Sequence, residues 1–268
     1  MDLLILTHQR ATRQTTYENL PSKFKEQVTF VVQTSDWEEN KEDYLQVARQ
    51  GQFYLLPPGI DNLHKTRQYL LNDRQTFQSP AQCQMDDDIV FSARRQDDPT
   101  KFRPMKSEDY HIMFTSLAAH AALQGMAGVV AREGANRNTE PYLYATRQMR
   151  LHAFSPRIFR ELGLRWDLLR SPGPEDFAML LQLMVTGRKN CVINDYCQNQ
   201  GGSNTAGGCS TYRTLDVHAD ACHHLAQLFP KYVKVVKKKT KGAWGGQERT
   251  DVVIQWKKAY KDGLNGTA

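Results

Sequence analysis

Apolar residues in the first third of the chain come in short blocks separated by polar stretches. Leu3-Leu4-Ile5-Leu6 is a continuous apolar run, and residues 3–7 read as a buried strand ending in the polar sequence Thr7-His8-Gln9-Arg10. Residues 28–33, Val-Thr-Phe-Val-Val-Gln, are rich in β-branched side chains and predict a second strand. Residues 53–56 predict a third, closed by Pro57-Pro58-Gly59, and Ile60, Leu63, Arg67, Leu70 and Leu71 then recur at helical spacing. Strand and helix in this order imply an α/β fold whose parallel sheet is covered on both faces.

Further along, residues 83–91 read as a strand interrupted by Asp86-Asp87-Asp88. A long helix is expected from Ser107, with Ser107 as its cap and Glu108 and Asp109 in its first turn. Residues 149–154 predict a strand, 156–163 a short helix with a glycine stop, 175–186 an amphipathic helix ending at Gly187, and 191–194 another strand. The last third differs in character. A glycine-rich loop from Gly201 to Gly208 leads to a helix near 214–228. A lysine-rich strand at 232–239 and a strand at 252–256 then suggest a hairpin with Trp244 near its tip. The expected organisation is a core over 1–200 and an appended loop, helix and basic hairpin over 201–268.

A length of 268 residues suffices for a sizeable core, and 40% hydrophobic with 24% charged residues is the balance of a soluble globular protein. No apolar run is long enough to cross a bilayer, and no basic segment precedes Leu3, so a cytoplasmic protein without a membrane partner is expected. Five cysteines without a CxxC pair argue for reduced thiols. Cys197, Cys209, Cys222 and His223 match no familiar zinc spacing. The formal net charge of +6 fits a polyanionic partner. Lys231, Lys234, Lys237, Lys238, Lys239 and Lys241 concentrate that charge in one stretch.

Three groups carry candidate chemistry. Adjacent carboxylates at a strand end repel one another, and Mg²⁺ or Mn²⁺ is a natural compensation for Asp86-Asp87-Asp88. On a continuous strand Asp86 and Asp88 share a face and Asp87 points away. A solvated acidic turn is the plain alternative. At the start of a helix, Asp176 is placed to take a proton from an attacking hydroxyl or simply to cap. Thr7, His8 and Arg10 follow the first strand and Arg67 lies on the first helix, positions that suit a nucleotide and its diphosphate in an open α/β sheet. Neither a Walker A sequence nor GxGxxG is present, which disfavours ATP-loop and dinucleotide readings.

In order, these pieces resemble a GT-A-type glycosyltransferase. They are Thr7 to Arg10, Leu56-Pro57-Pro58-Gly59-Ile60 leading to Thr66-Arg67, the acidic triplet, Ser155 to Gly163, and Glu175-Asp176-Phe177. More narrowly, Arg13-Gln14-Thr15, Tyr44-Leu45, Thr66-Arg67-Gln68 and the basic C-terminal strands look like the TET-associated glycosyltransferases of phages. The resemblance implies transfer of a sugar from a nucleotide sugar, such as a UDP-sugar, to a hydroxymethylpyrimidine in double-stranded DNA. It implies Arg10, Gln33, Asp61, Arg67, Asp86 and Asp87 near the donor, and a metal on Asp86 and Asp88 with His218 as a further ligand. It also implies Asp176 as the base and work in the cytoplasm of a phage-infected bacterial host cell; one base and direct attack would invert the anomeric carbon, an outcome the sequence alone does not fix.

DNA binding through Lys234, Lys237, Lys238, Lys239 and Lys241 would weaken steeply with salt, and Trp244 would stack in the gap left by a flipped nucleotide. A solvated sheet edge and a loop anchor are the plain alternatives for the lysines and for Trp244. A nucleotidyltransferase, a transferase with a non-DNA acceptor and a non-catalytic DNA-binding accessory protein are the competing readings.

Overall fold

The computed structural model describes residues 1–131, 140–200, 206–240 and 246–268. Lys241 and Trp244 lie outside the described residues, as do the first five positions of the glycine-rich loop. The first half comprises β1 (Asp2–Leu6), α1 (Thr15–Asn19), α2 (Ser22–Lys25), β2 (Val28–Gln33), α3 (Thr34–Val47), β3 (Phe53–Leu56), α4 (Leu63–Asn72), β4 (Gln82–Asp86), β5 (Ile89–Arg94), β6 (Phe102–Pro104) and α5 (Ser107–Gln124). The second half comprises β7 (Met126–Val130), β8 (Tyr142–Tyr144), β9 (Leu151–Phe154), α6 (Pro156–Glu161), α7 (Glu175–Val185), β10 (Asn190–Gln200), α8 (Leu215–Leu228), β11 (Val233–Lys239), β12 (Glu248–Ile254) and α9 (Trp256–Leu264).

Ten strands form one sheet in the order β3-β2-β1-β4-β9-β7-β10-β5-β6, with β8 also paired to β10. The β3-β2-β1-β4 half is parallel throughout. β9 runs antiparallel between β4 and β7, and β10 is parallel to β7, so most strands point one way. Alternation along β1 sorts the core into layers. Leu3 and Ile5 join Phe30, Met85 and the buried face of α5, while Leu4 and Leu6 join Val31, Leu56 and Leu70 of α4. Both faces are covered, as the pattern predicted.

Elsewhere the differences have local causes. Ser107 is the first helical residue rather than the cap; Lys106 precedes the helix, and the Asp109 carboxylate accepts the Lys106 N–H at 2.6 Å. Ser155 does cap α6, accepting the Ile158 N–H, and Gly163 and Gly187 take φ of 65° and 77° at the helix ends. β11 and β12 pair antiparallel as a separate two-stranded sheet. The last strand stops at Ile254, because Trp256 begins α9 and its ring packs edge-on against Phe177 at 5.5 Å.

Candidate active site

The C-terminal ends of β1 and β4 lie side by side, with Leu6 opposite Asp86. β4 ends at Asp86 and the chain turns through Asp87 and Asp88 into β5. Buried Thr16 on α1 locks this turn. Its hydroxyl donates to the Asp86 carbonyl at 2.6 Å and accepts the Ile89 N–H at 2.8 Å, and its own N–H reaches the Asp87 carbonyl at 2.9 Å.

Strand alternation therefore does not extend through the triplet, and the expectation that Asp86 and Asp88 share a face while Asp87 points away is corrected. Asp87 is buried and accepts the Thr7 hydroxyl at 2.7 Å and Arg10 Nη1 at 2.7 Å. The same Arg10 nitrogen donates to Asp88 at 2.9 Å, and the other Asp88 oxygen accepts from Gln200. Asp86 faces Arg67 instead, whose Nη2 lies 3.5 Å from Oδ1.

Arg67 connects the triplet to the start of α7. Its side chain is 1% exposed, its Nε is 3.8 Å from Glu175, and its guanidinium lies 5.0 Å from the Trp166 ring centre. Asp176 follows Glu175 and accepts the Phe177 N–H at 2.9 Å. Burial, and then the neighbouring Glu175, pushes the Asp176 carboxyl up to about 7, with Arg147 and Arg67 pulling the other way. Asp86 is likewise pushed up to about 7 by burial; Arg67 opposes the shift, and Asp88, Asp87 and Glu175 add to it. The structure thus brings Asp86, Arg67, Glu175 and Asp176 into one charge cluster.

The loop after β1 is built from within. Gln14 is fully buried and donates to the Thr7 hydroxyl and the Arg10 carbonyl, at 2.8 and 2.9 Å. Asp36 on α3 accepts the Gln9 N–H at 2.6 Å and the Tyr44 hydroxyl at 2.8 Å, with His8 Nδ1 at 3.6 Å. Burial raises the Asp36 pKa, but these hydrogen bonds outweigh it and the net shift is downward. A cavity of about 330 Å³ lies against this loop, lined by Gln9, Arg10, Arg13, Glu39 and Asn40 among others. Neither the triplet nor Asp176 lines it, so it is set apart from the charge cluster.

Residues 206–213 cross from the β1 loop to the start of α4. The Ala206 carbonyl accepts from Arg10 and Arg13, Gly208 N–H donates to the His8 carbonyl at 2.8 Å, and the Tyr212 hydroxyl accepts the Leu63 N–H at 3.1 Å. A Cβ on Gly207 would meet the Gln9 carbonyl oxygen at 2.7 Å, so this close crossing requires glycine there. Cys209, Tyr212 and Arg213 close a small pocket with His64 and Glu175.

Gln33 ends β2 opposite Leu56, at the same edge of the sheet as Thr7. Asp61 lies on the surface, where Lys65 Nζ pairs with both its oxygens at 2.9 and 3.1 Å. His218 is not brought to the triplet. It is buried on α8 with Nε2 3.6 Å from the Cys222 sulfur, and its pKa is lowered to about 4 by burial and then by Arg249 and Arg213. Among the described residues no three His, Cys, Asp or Glu side chains are grouped as a metal site.

A divalent ion that completes its shell with phosphate and water would find a ligand in Asp86, whereas Asp88 would join it only by giving up Arg10 or Gln200. The Asp86 side chain is 25% exposed, meets the Arg67 guanidinium only at 3.5 Å, and stands in an excess of negative charge. On the hairpin, Lys234, Lys237, Lys238 and Lys239 are exposed. Lys237 donates to Thr250 at 3.0 Å and Lys238 lies 3.3 Å from Asp251. Sequence reasoning did not single out Thr16, Gln200, Tyr212 or Arg147; the first three act through contacts distant in sequence, which no local pattern encodes.

Among the described residues, no helix is long and apolar enough to cross a membrane. No family profile and no curated protein matches the chain. Solved structures do. Staphylococcus aureus TarS 1–349 in complex with UDP-GlcNAc aligns with a TM-score of 0.50 and 9% identity, over 84% of this chain and 65% of that one. A second TarS 1–349 structure aligns with a TM-score of 0.46 and 12% identity, over 73% and 59%. GalNAc-T7 with UDP, GalNAc and Mn²⁺ gives 0.43 and 13%, over 74% and 42%. The chain spans less than two thirds of the length of these TarS structures. The sheet of this chain, with its parallel half, its antiparallel β9 and its flanking helices, has the GT-A-like α/β fold that it shares with TarS 1–349 in complex with UDP-GlcNAc.

Proposed function

We propose that this protein is a metal-dependent glycosyltransferase that moves a sugar from a nucleotide-sugar donor, a UDP-sugar, to the hydroxymethyl group of a modified pyrimidine in DNA. One observation carries the reading: the acidic end of β4 and the carboxylates at the start of α7 converge on the buried guanidinium of Arg67. Donor and acceptor chemistry need acidic groups brought together in this way, one on the leaving side and one on the attacking side.

Thr7, His8, Arg10 and Gln33 line the donor side of the sheet. Arg67 Nη1 is buried without a hydrogen-bond partner among the described residues and would serve the donor's phosphate oxygens, while Nε faces Glu175. Mn²⁺ or Mg²⁺ held by Asp86 and Asp88 supplies, when bound, neutralisation of charge on the departing diphosphate. Asp176 accepts the proton of the attacking hydroxyl. Its raised pKa suits it to that exchange near neutral pH, and a positioned base of this kind contributes roughly 10²–10⁴-fold. The DNA acceptor is supported by the net charge of +6 and by the exposed lysines of β11. Such an acceptor belongs to a phage-infected bacterial cytoplasm.

The test incubates the protein with hydroxymethylated DNA and a panel of nucleotide sugars, then digests the DNA to nucleosides and reads the mass gain. A gain of one sugar is expected with Mn²⁺ or Mg²⁺, none in EDTA, and none from folded Asp176→Asn or Asp88→Ala. Pyrophosphate release from a nucleoside triphosphate would make it a nucleotidyltransferase. Donor turnover without labelled DNA would move the acceptor elsewhere.

A further inference from the structure

Residues 145–150 form a strap between β8 and β9 whose ends, Ala145 and Arg150, take left-handed φ of 48° and 65°. Such a conformation is strained for a residue with a Cβ and persists only where the surroundings over-determine it. The determinant here is Gln148, which is buried and donates to the carbonyls of Ala127 and Leu151 at 2.7 and 3.2 Å, while accepting from Asn190 at 3.0 Å. Asn190 in turn accepts the Thr146 N–H at 3.1 Å. At the far end, the Arg150 carbonyl accepts the Asp86 N–H at 3.1 Å.

Arg147 sits in the middle of this fixed segment, and it is exposed. Its guanidinium lies 5.0 Å from the centre of the Phe177 ring, the residue directly after Asp176. It has no hydrogen bond or ion pair among the described residues. A guanidinium lying over a ring keeps its N–H edges free, and those edges match the oxygens of a phosphate in pairs. A carboxylate such as Asp176 repels an incoming anion, and a cation beside it offsets that repulsion.

We propose that Arg147 anchors a phosphodiester of the acceptor strand beside Asp176 and so selects which hydroxyl reaches the base. The inference rests on the DNA-acceptor reading above. It adds a contact on the acceptor side that is separate from the lysine hairpin.

Binding of a hydroxymethylated duplex is measured by fluorescence anisotropy across a salt series for wild type, Arg147→Met and Arg147→Lys. Methionine keeps the packing on Phe177 and removes the charge. The Met variant is expected to bind every sequence more weakly, with the slope of log affinity against log salt reduced by about one. Lysine should restore the slope but not the full affinity, because a point charge lacks the planar fork. Equal slopes and affinities for wild type and Arg147→Met, or no DNA binding by wild type, overturn the proposal. A raised donor KM in nucleotide-sugar hydrolysis with an unchanged DNA slope assigns the guanidinium to the donor and overturns it too. If the slope difference appears but wild type transfers no sugar, the transferase reading fails and the anchor stands.

Discussion

Arg67 holds Asp86 at 3.5 Å from a position that is almost completely enclosed, with its flat face toward Trp166. A buried cation shared between Asp86 and Glu175 is costly to remove, because the carboxylates stay behind uncompensated. Arg67→Met, which keeps volume against Trp166, is expected to lower stability by on the order of 3 kcal/mol in urea unfolding. A change near zero would mean that solvent, not Arg67, balances these acids.

The pH dependence of turnover follows from Asp176. Its carboxyl is pushed up to about 7 and must be ionised to serve as the proposed base. Below about pH 7, kcat/KM should fall about tenfold per pH unit, and in Arg147→Met the limb should move to higher pH because a favourable cation is gone. A profile flat down to pH 5 would remove Asp176 from the base role.

Stability should respond to pH in the opposite sense from an ordinary salt-bridged acid. Asp86 and Asp176 hold protons to about pH 7 when folded, against an ordinary value of 3.8. Between these values the folded chain binds more protons than the unfolded one. The contribution of these two groups is therefore fully present in acid and lost as pH rises through about 7. In EDTA, Asp86→Asn should stabilise the protein more at pH 8 than at pH 5, read as the shift in Tm against wild type. An equal shift at both pH values would contradict this.

Gly128 on β7 lies under the 145–150 strap, where a Cβ would stand 2.6 Å from the Gln148 side chain. Gln148 is hydrogen-bonded and enclosed, so it cannot swing aside cheaply. Gly128→Ala should cost about 1–3 kcal/mol and reduce transfer more than donor hydrolysis. Wild-type stability in the alanine variant would show the strap to be loose.

The parallel half of the sheet was legible because β1, β2 and β3 are apolar runs of strand length bounded by turn residues. β10 was harder. It extends from Asn190 to Gln200, but Asn194 and Gln198 are buried inside it, and their bonds to the carbonyls of Glu140 and Met149 help to make that tolerable. α3 escaped notice for a similar reason, since its buried side includes Asp36 alongside Trp37 and Tyr44. At the site, residue types pointed to Asp86–Asp88 and Asp176, whereas their partners could not be read locally. Arg67 and Glu175 stand more than a hundred positions apart in sequence.

The strap also carries a lesson about how this protein can change. One six-residue piece of backbone supports the amide of Asp86 at one end and displays Arg147 in its middle. Lengthening or shortening it would disturb the turn at Asp86 at once, whereas exchanging the side chain at position 147 leaves the path of the main chain around it fixed.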